Sequence, residues 1–130
     1  MYFARSGPSP GSAERELELF VWSDMFDPYH NAVPEYYLCN GSVAGSFQGL
    51  DKSVVVVNWN YGQRAQSLPF FAGRGHKQVL AGYYDGAPAT IRAWINDAHA
   101  LGVPVEGVMY TTWANNYADL ETFAQAAWGP

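Results

Sequence analysis

Cysteine is nearly absent: Cys39 is the single one in 130 residues, so no disulfide can form within the chain. No Cys/His group has zinc spacing, and neither a metal nor a cofactor is expected. Basic residues are also scarce. Seven Lys and Arg against twelve Asp and Glu leave a net charge of −5. A phosphate backbone is gripped by a Lys/Arg patch, and so few scattered cations make none, which argues against nucleic acid as a partner. The same deficit disfavours an anionic membrane surface, and no apolar run approaches the ~20 residues of a membrane span. The opening Met1-Tyr2-Phe3-Ala4-Arg5-Ser6 lacks the basic region and apolar stretch of a secretory signal, so a cytoplasmic location is expected. No GxGxxG and no GxxxxGK fingerprint follows any apolar run, which removes the usual reason for an open nucleotide-binding sheet.

What the chain does have is apolar and aromatic content: 48% hydrophobic and 16% aromatic residues, with five Trp and nine Tyr. That is enough for one compact domain with a real core. The turn-forming run Gly7-Pro8-Ser9-Pro10-Gly11-Ser12 reads as a flexible N-terminal segment over 1–14, followed by a folded domain over 15–130. Four apolar runs, Leu17 to Met25, Ser53 to Asn60, Gln78 to Asp85 and Gly107 to Trp113, suit parallel strands covered on both faces. Helices are expected at Pro88 to Leu101 and Asp119 to Trp128, where apolar residues recur at helical spacing. A short helix capped by Ser67 is expected through Ala72, with Pro69 tolerable in its first turn. Residues 26–52 lack a helical period and read as a long functional loop with a small hairpin around Asn40-Gly41.

Strand and helix alternating at this spacing imply an α/β fold with a parallel sheet. Each strand run ends in Trp, Tyr, Asp or Asn rather than in a phosphate loop, which favours a barrel, where strand C-termini carry the active site, over an open doubly wound sheet. Side chains alternate along a strand with period two. Extended to the run ends, that rule groups Trp22 with Asp24, then Val57 with Trp59 and Tyr61. It likewise groups Ala81 with Tyr83 and Asp85, and Met109 with Thr111, Trp113 and Asn115. Aromatic planes beside carboxylates and amides match a sugar, whose apolar C–H face packs on a ring while its hydroxyls seek polar groups. Packing in the interior is the competing role for Trp22, Trp59 and Trp113, as turn formation is for Asp24 and Asp85. His30 in the long loop is a lesser candidate, Cys39 has no activating neighbour, and His76 and His99 are expected at the surface.

The series Phe20-Val21-Trp22-Ser23-Asp24, Val57-Asn58-Trp59-Asn60, Gly82-Tyr83-Tyr84-Asp85 and Gly107 to Trp113 resembles the last four strands of β-N-acetylhexosaminidase-like barrels, glycoside hydrolase family 20. The resemblance covers residues from about 15 to 129 and implies half of a (β/α)8 barrel, with four parallel strands and about three helices. It implies that Tyr83 contacts an acetamido group and Asp85 binds sugar hydroxyls. It also implies that Trp22, Trp59 and Trp113 line the pocket, and that Asn115 stands where many members carry a glutamate. The family's chemistry depends on an Asp-Glu pair, and this chain has no Asp-Glu dipeptide. A sugar-binding half site without the catalytic acid is therefore expected. The alternatives are a glycosidase assembled across a dimer from Asp24, Asp27 or Asp85, and a fragment of a longer hydrolase. A half barrel leaves an apolar inner face and unpaired strand edges, with Val55 and Val57 facing water, so a homodimer that closes the barrel is expected.

Overall fold

The computed structural model describes residues 2–3, 18–34 and 41–130. The expected linker at Gly7–Ser12, Cys39 and most of the hairpin around Asn40 lie outside them. The four apolar runs form four parallel strands: β2 (Glu18–Trp22), β3 (Val55–Asn58), β4 (Gln78–Tyr83) and β5 (Gly107–Thr111). A two-residue strand, β1 (Tyr2–Phe3), pairs antiparallel with Leu19 and Glu18 of β2. Three helices follow in turn: α1 (Arg64–Gly73), α2 (Thr90–Ala100) and α3 (Leu120–Trp128). No helix of the described residues is long and apolar enough to cross a membrane.

Strand order in the sheet equals sequence order. Right-handed crossovers between successive neighbours bring every helix back onto the same face of the sheet. The packing agrees, with α1 against α2 and α2 against α3. The core lies in that layer: Leu80, Val108 and Tyr110 of the sheet meet Leu68, Ile91, Trp94 and Phe123 of the helices. Gly82 is where the layers come closest. A Cβ there would stand 2.7 Å from Phe123 Cε2 and 2.9 Å from Ile91 Cδ1.

Two buried amides fix the register of the central strands. Asn58 Nδ2 donates to Gln78 Oε1 at 3.2 Å, and Gln78 Nε2 donates to the Leu68 carbonyl of α1 at 2.9 Å. A slip of one residue would turn these amides to the other face and break both bonds, at about 1–3 kcal/mol for each orphaned group.

The opposite face is concave. Phe20 and Trp22, Val57, Val79 and Met109, drawn from all four parallel strands, line one cavity of about 240 Å³. A sheet bent enough to enclose such a space, with its helices on the outside, has a geometry compatible with half of a (β/α)8 barrel. Val55 and Val57 do not face water as expected. Both are buried, and Val57 sits in the hollow walled by Phe20, Trp22, Val79 and Met109.

Two further expectations need correction. Helix α1 starts at Arg64, not near Ser67, so Pro69 sits inside it, and Ser67 is a fully buried helical residue whose hydroxyl donates to Asp27 Oδ2. His76 is buried, not superficial: it precedes β4, its Nδ1 lies 3.2 Å from the Val54 carbonyl, and its ring meets Phe71 edge-on.

The link from β2 to β3 contains no α-helix among the described residues. Short helical turns at Asp24–Phe26 and Ser46–Gly49 take its place. Aromatic contacts dock this segment on α1. Phe70 receives Tyr29 and Phe47 as edge-to-face neighbours, and Arg74 donates to the Phe47 carbonyl at 3.0 Å while its guanidinium lies over the Phe47 ring.

Candidate functional site

The candidate site sits at the C-terminal ends of β2 to β5, where the loops are held by two carboxylates. Asp27, fully buried, accepts from Tyr29 N at 2.8 Å, from Asn60 Nδ2 at 3.0 Å and from the Ser67 hydroxyl. Its carbonyl accepts from His30 N and Ala32 N, both at 3.0 Å. One residue thus ties the β2–β3 segment to the end of β3 and to α1. Asp85 does the same on the other side. Its Oδ1 accepts from Thr112 Oγ1, and its Oδ2 accepts from Trp113 N at 2.6 Å and Ala114 N at 3.0 Å.

The backbone that delivers Asp85 is unusual. Tyr83, Tyr84 and Asp85 have φ of 72°, 52° and 55°, three successive non-glycine residues in the left-handed region. Each such residue costs ~1–2 kcal/mol, so surrounding contacts must hold the turn. Tyr83 supplies several. Its hydroxyl donates to Asp119 Oδ2 at 3.0 Å and accepts from Asn116 Nδ2 at 2.9 Å, and its ring stacks on Tyr110 at 4.3 Å. The neighbouring Tyr110 hydroxyl, burial and the Asp119 carboxylate together push the Tyr83 phenol well above its ordinary pKa. Asp119, at the N-cap of α3, makes no side-chain cap bond, since its carboxylate is turned to Tyr83.

The turn has a second effect. It swings Tyr83 into the helix-side core and leaves Tyr84 47% exposed at the mouth. Of the expected group Ala81, Tyr83 and Asp85, the first two wall one crevice and Asp85 does not, because β geometry ends as φ turns positive. Trp59 and Tyr61 wall the same crevice, and Met109, Thr111 and Trp113 wall another, although β3 stops at Asn58 and β5 at Thr111. Asn115 is not among those walls, and Tyr61 also packs against Trp94 of α2.

Four rings form a row across the mouth. His30 meets Trp59 at 4.7 Å between centroids, Trp59 meets Tyr84 at 5.1 Å, and Tyr84 meets Trp113 at 5.9 Å. Trp113 is 73% exposed. A crevice of about 430 Å³ has His30, Trp59, Tyr84 and Trp94 among its walls. Another, of about 380 Å³, is walled by Trp22, Met109, Thr111, Trp113 and Tyr117. His30 Nδ1, Trp59 Nε1 and Trp94 Nε1 are closed to solvent and have no hydrogen-bond partner, and all three belong to side chains lining the first crevice. A buried N–H left unpaired costs about 1–3 kcal/mol, and the two indole N–H groups are such donors.

Of the residues singled out from sequence, Trp59 and Trp113 are joined through Tyr84, and Trp22, 42% exposed at the end of β2, shares the second crevice with Trp113. Tyr83 and Asp85 fasten the loops beneath. Asp24 lies in the turn after β2, where Oδ2 accepts from Asn31 Nδ2 at 3.2 Å, and Asn115 is exposed at φ 55° in the β5–α3 loop. Tyr84, Trp94, Asn116, Tyr117 and Asp119 were missed. Only Tyr84 carried a signal: Asp85-Gly86 marks a turn, and a turn there breaks the alternation that placed Tyr84 on the wrong face. Among the described residues no group of three or more His, Cys, Asp or Glu could hold a metal. Comparison with protein-family models, with curated proteins and with solved structures finds no match.

The left-handed turn gives an inverted ranking. Tyr84→Gly should be more stable than Tyr84→Ala by about 1 kcal/mol in urea unfolding, the reverse of the order in a helix or strand interior. Equal stabilities would show that the turn relaxes once the ring is gone.

Asp85 gives a pH dependence. The Thr112 hydroxyl does most to hold its carboxyl below the ordinary value; partial removal from water opposes this, and the N–H groups of Trp113 and Ala114 add to the lowering. A depressed folded-state pKa means stability that is present above about pH 4 and lost as pH falls through the folded value. The amide resonances of Trp113 and Ala114 should therefore shift below about pH 4 in the native protein and stay flat over that range in Asp85→Asn. Flat titrations in both proteins would mean that the carboxylate does not hold the loop.

Proposed function

We propose that the chain is a carbohydrate-binding half barrel whose ligand, an amino sugar such as N-acetylglucosamine, lies against the ring row at the strand C-termini. The observation that carries this reading is the row of His30, Trp59, Tyr84 and Trp113, which walls two crevices. Rings offer planes to the C–H face of a pyranose, and the crevices beside them are of a size to hold it.

Binding without hydrolysis is the better supported form. Acid/base cleavage needs one carboxyl kept protonated and a second group close by. Asp27 and Asp85 are instead taken up by loop donors, with Asp85 held towards its charged form, and Asp24 is bonded to Asn31. Calorimetric titration with N-acetylglucosamine should give saturable binding to the native chain. Tyr84→Gly, which removes one of the two inner rings of the row, should abolish it. No binding of N-acetylglucosamine to a folded native protein would end this reading.

The same proposal includes closure of the concave face by a second copy. The cavity walled by Phe20, Trp22, Val57, Val79 and Met109 is apolar, and among the described residues β5 pairs with β4 alone. An apolar hollow beside an unpaired strand edge favours association. Light scattering after gel filtration should return twice the chain mass. A monomer would remove the dimer and leave the ring row as it stands.

A further inference from the structure

The two crevices divide the ring row between them, three rings walling one and the fourth the other, and this division bears on the size of the ligand. His30, Trp59 and Tyr84 wall the first. Trp113, in edge contact with Tyr84, walls the second together with Trp22 and Tyr117. At about 430 Å³ and 380 Å³, each lies near the lower end of the ~300–1,000 Å³ range of small-molecule pockets. Each suits one small unit, and the Tyr84–Trp113 contact joins a wall of one to a wall of the other as a ridge.

We infer that the crevices are two subsites of a single cleft that takes a linear oligosaccharide across the Tyr84–Trp113 ridge, an inference that rests on the sugar-binding reading above. The subsites differ in chemistry. The first has Asn60 and Thr90 among its walls beside the His30, Trp59 and Tyr84 rings, and takes the unit with more hydrogen-bonding groups. The second is walled by the exposed rings of Trp22, Trp113 and Tyr117 and takes a unit chiefly by its apolar face. The ridge has a fixed position. Tyr84 is set by the left-handed turn, and the backbone at Trp113 is held by Asp85, so the subsites keep their spacing without ligand.

The test is a chain-length series with N-acetylglucosamine, its dimer and its trimer, titrated by calorimetry against the native protein and against Trp113→Ala. That substitution removes an exposed ring and leaves the backbone N–H that Asp85 accepts. In the native protein, affinity should rise by about tenfold or more from monosaccharide to trimer, the gain expected of one added ring contact. Trp113→Ala should cost the trimer more than it costs the monosaccharide, and Tyr117→Ala, on the same wall, should repeat the pattern. Equal affinities across the series would overturn the two-subsite cleft and leave a single sugar site standing. Equal losses for monosaccharide and trimer in both variants would overturn it too, by placing both walls around one unit. Absence of binding by every member would remove the sugar reading itself, and this inference with it.

Discussion

The backbone leaving β4 turns through three left-handed residues, and the arrangement of the mouth depends on that turn. It sends Tyr83 down into the helix layer and Tyr84 up into the ring row, and it aims the Asp85 carboxylate at the neighbouring loop. Non-glycine residues do not remain in this region unless contacts on several sides outweigh the strain. Here one side is the Tyr83 hydroxyl between Asp119 and Asn116, and the other is the cluster of donors from Thr112 to Ala114. The turn and the β5–α3 loop are therefore a single unit: neither keeps its shape without the other.

Asp27 plays the matching part across the mouth. A buried carboxylate is tolerable only with donors around it, and Asp27 gathers a backbone N–H, an amide and a hydroxyl from three different elements. The mouth is thus built from irregular chain fastened by two acidic side chains to regular chain. Binding surfaces placed on loops are precise only when such supports fix them. Rings carry the exposed chemistry, and these two carboxylates carry the architecture.

Much of the fold was legible in the sequence because it rests on local periodicity. The valine run at 54–57 and the helical spacing of Ile91, Trp94, Ala98, Phe123 and Ala127 report burial, and the structure buries them, whereas Leu101 and Leu120 of the same apolar series lie exposed at the helix ends. The site was less legible. Period two is valid only while the chain stays extended, and nearly every residue of interest falls just past a strand end, where hydrogen bonds from distant residues decide direction. Tyr83 is the clear case: nothing nearby in sequence announces that Asp119 will capture its hydroxyl. Pro69 misled for the same kind of reason. It marks helix starts by its missing N–H, yet α1 already runs from Arg64, anchored by a bond from Arg64 Nε to Asp97 Oδ2 at 2.5 Å and by Ser67 on Asp27.

Strand order that equals sequence order also bears on how the chain assembles. Each parallel pairing closes only the residues of one intervening connection, so the entropy lost at each closure stays modest and contacts are mostly between successive units. A topology of this kind can grow stepwise. β3 and β4 with α1 between them already contain the Asn58, Gln78 and Leu68 relay that fixes their alignment. Such a pair is a natural early nucleus, onto which α2, β5 and α3 can be added in the order in which a ribosome delivers them.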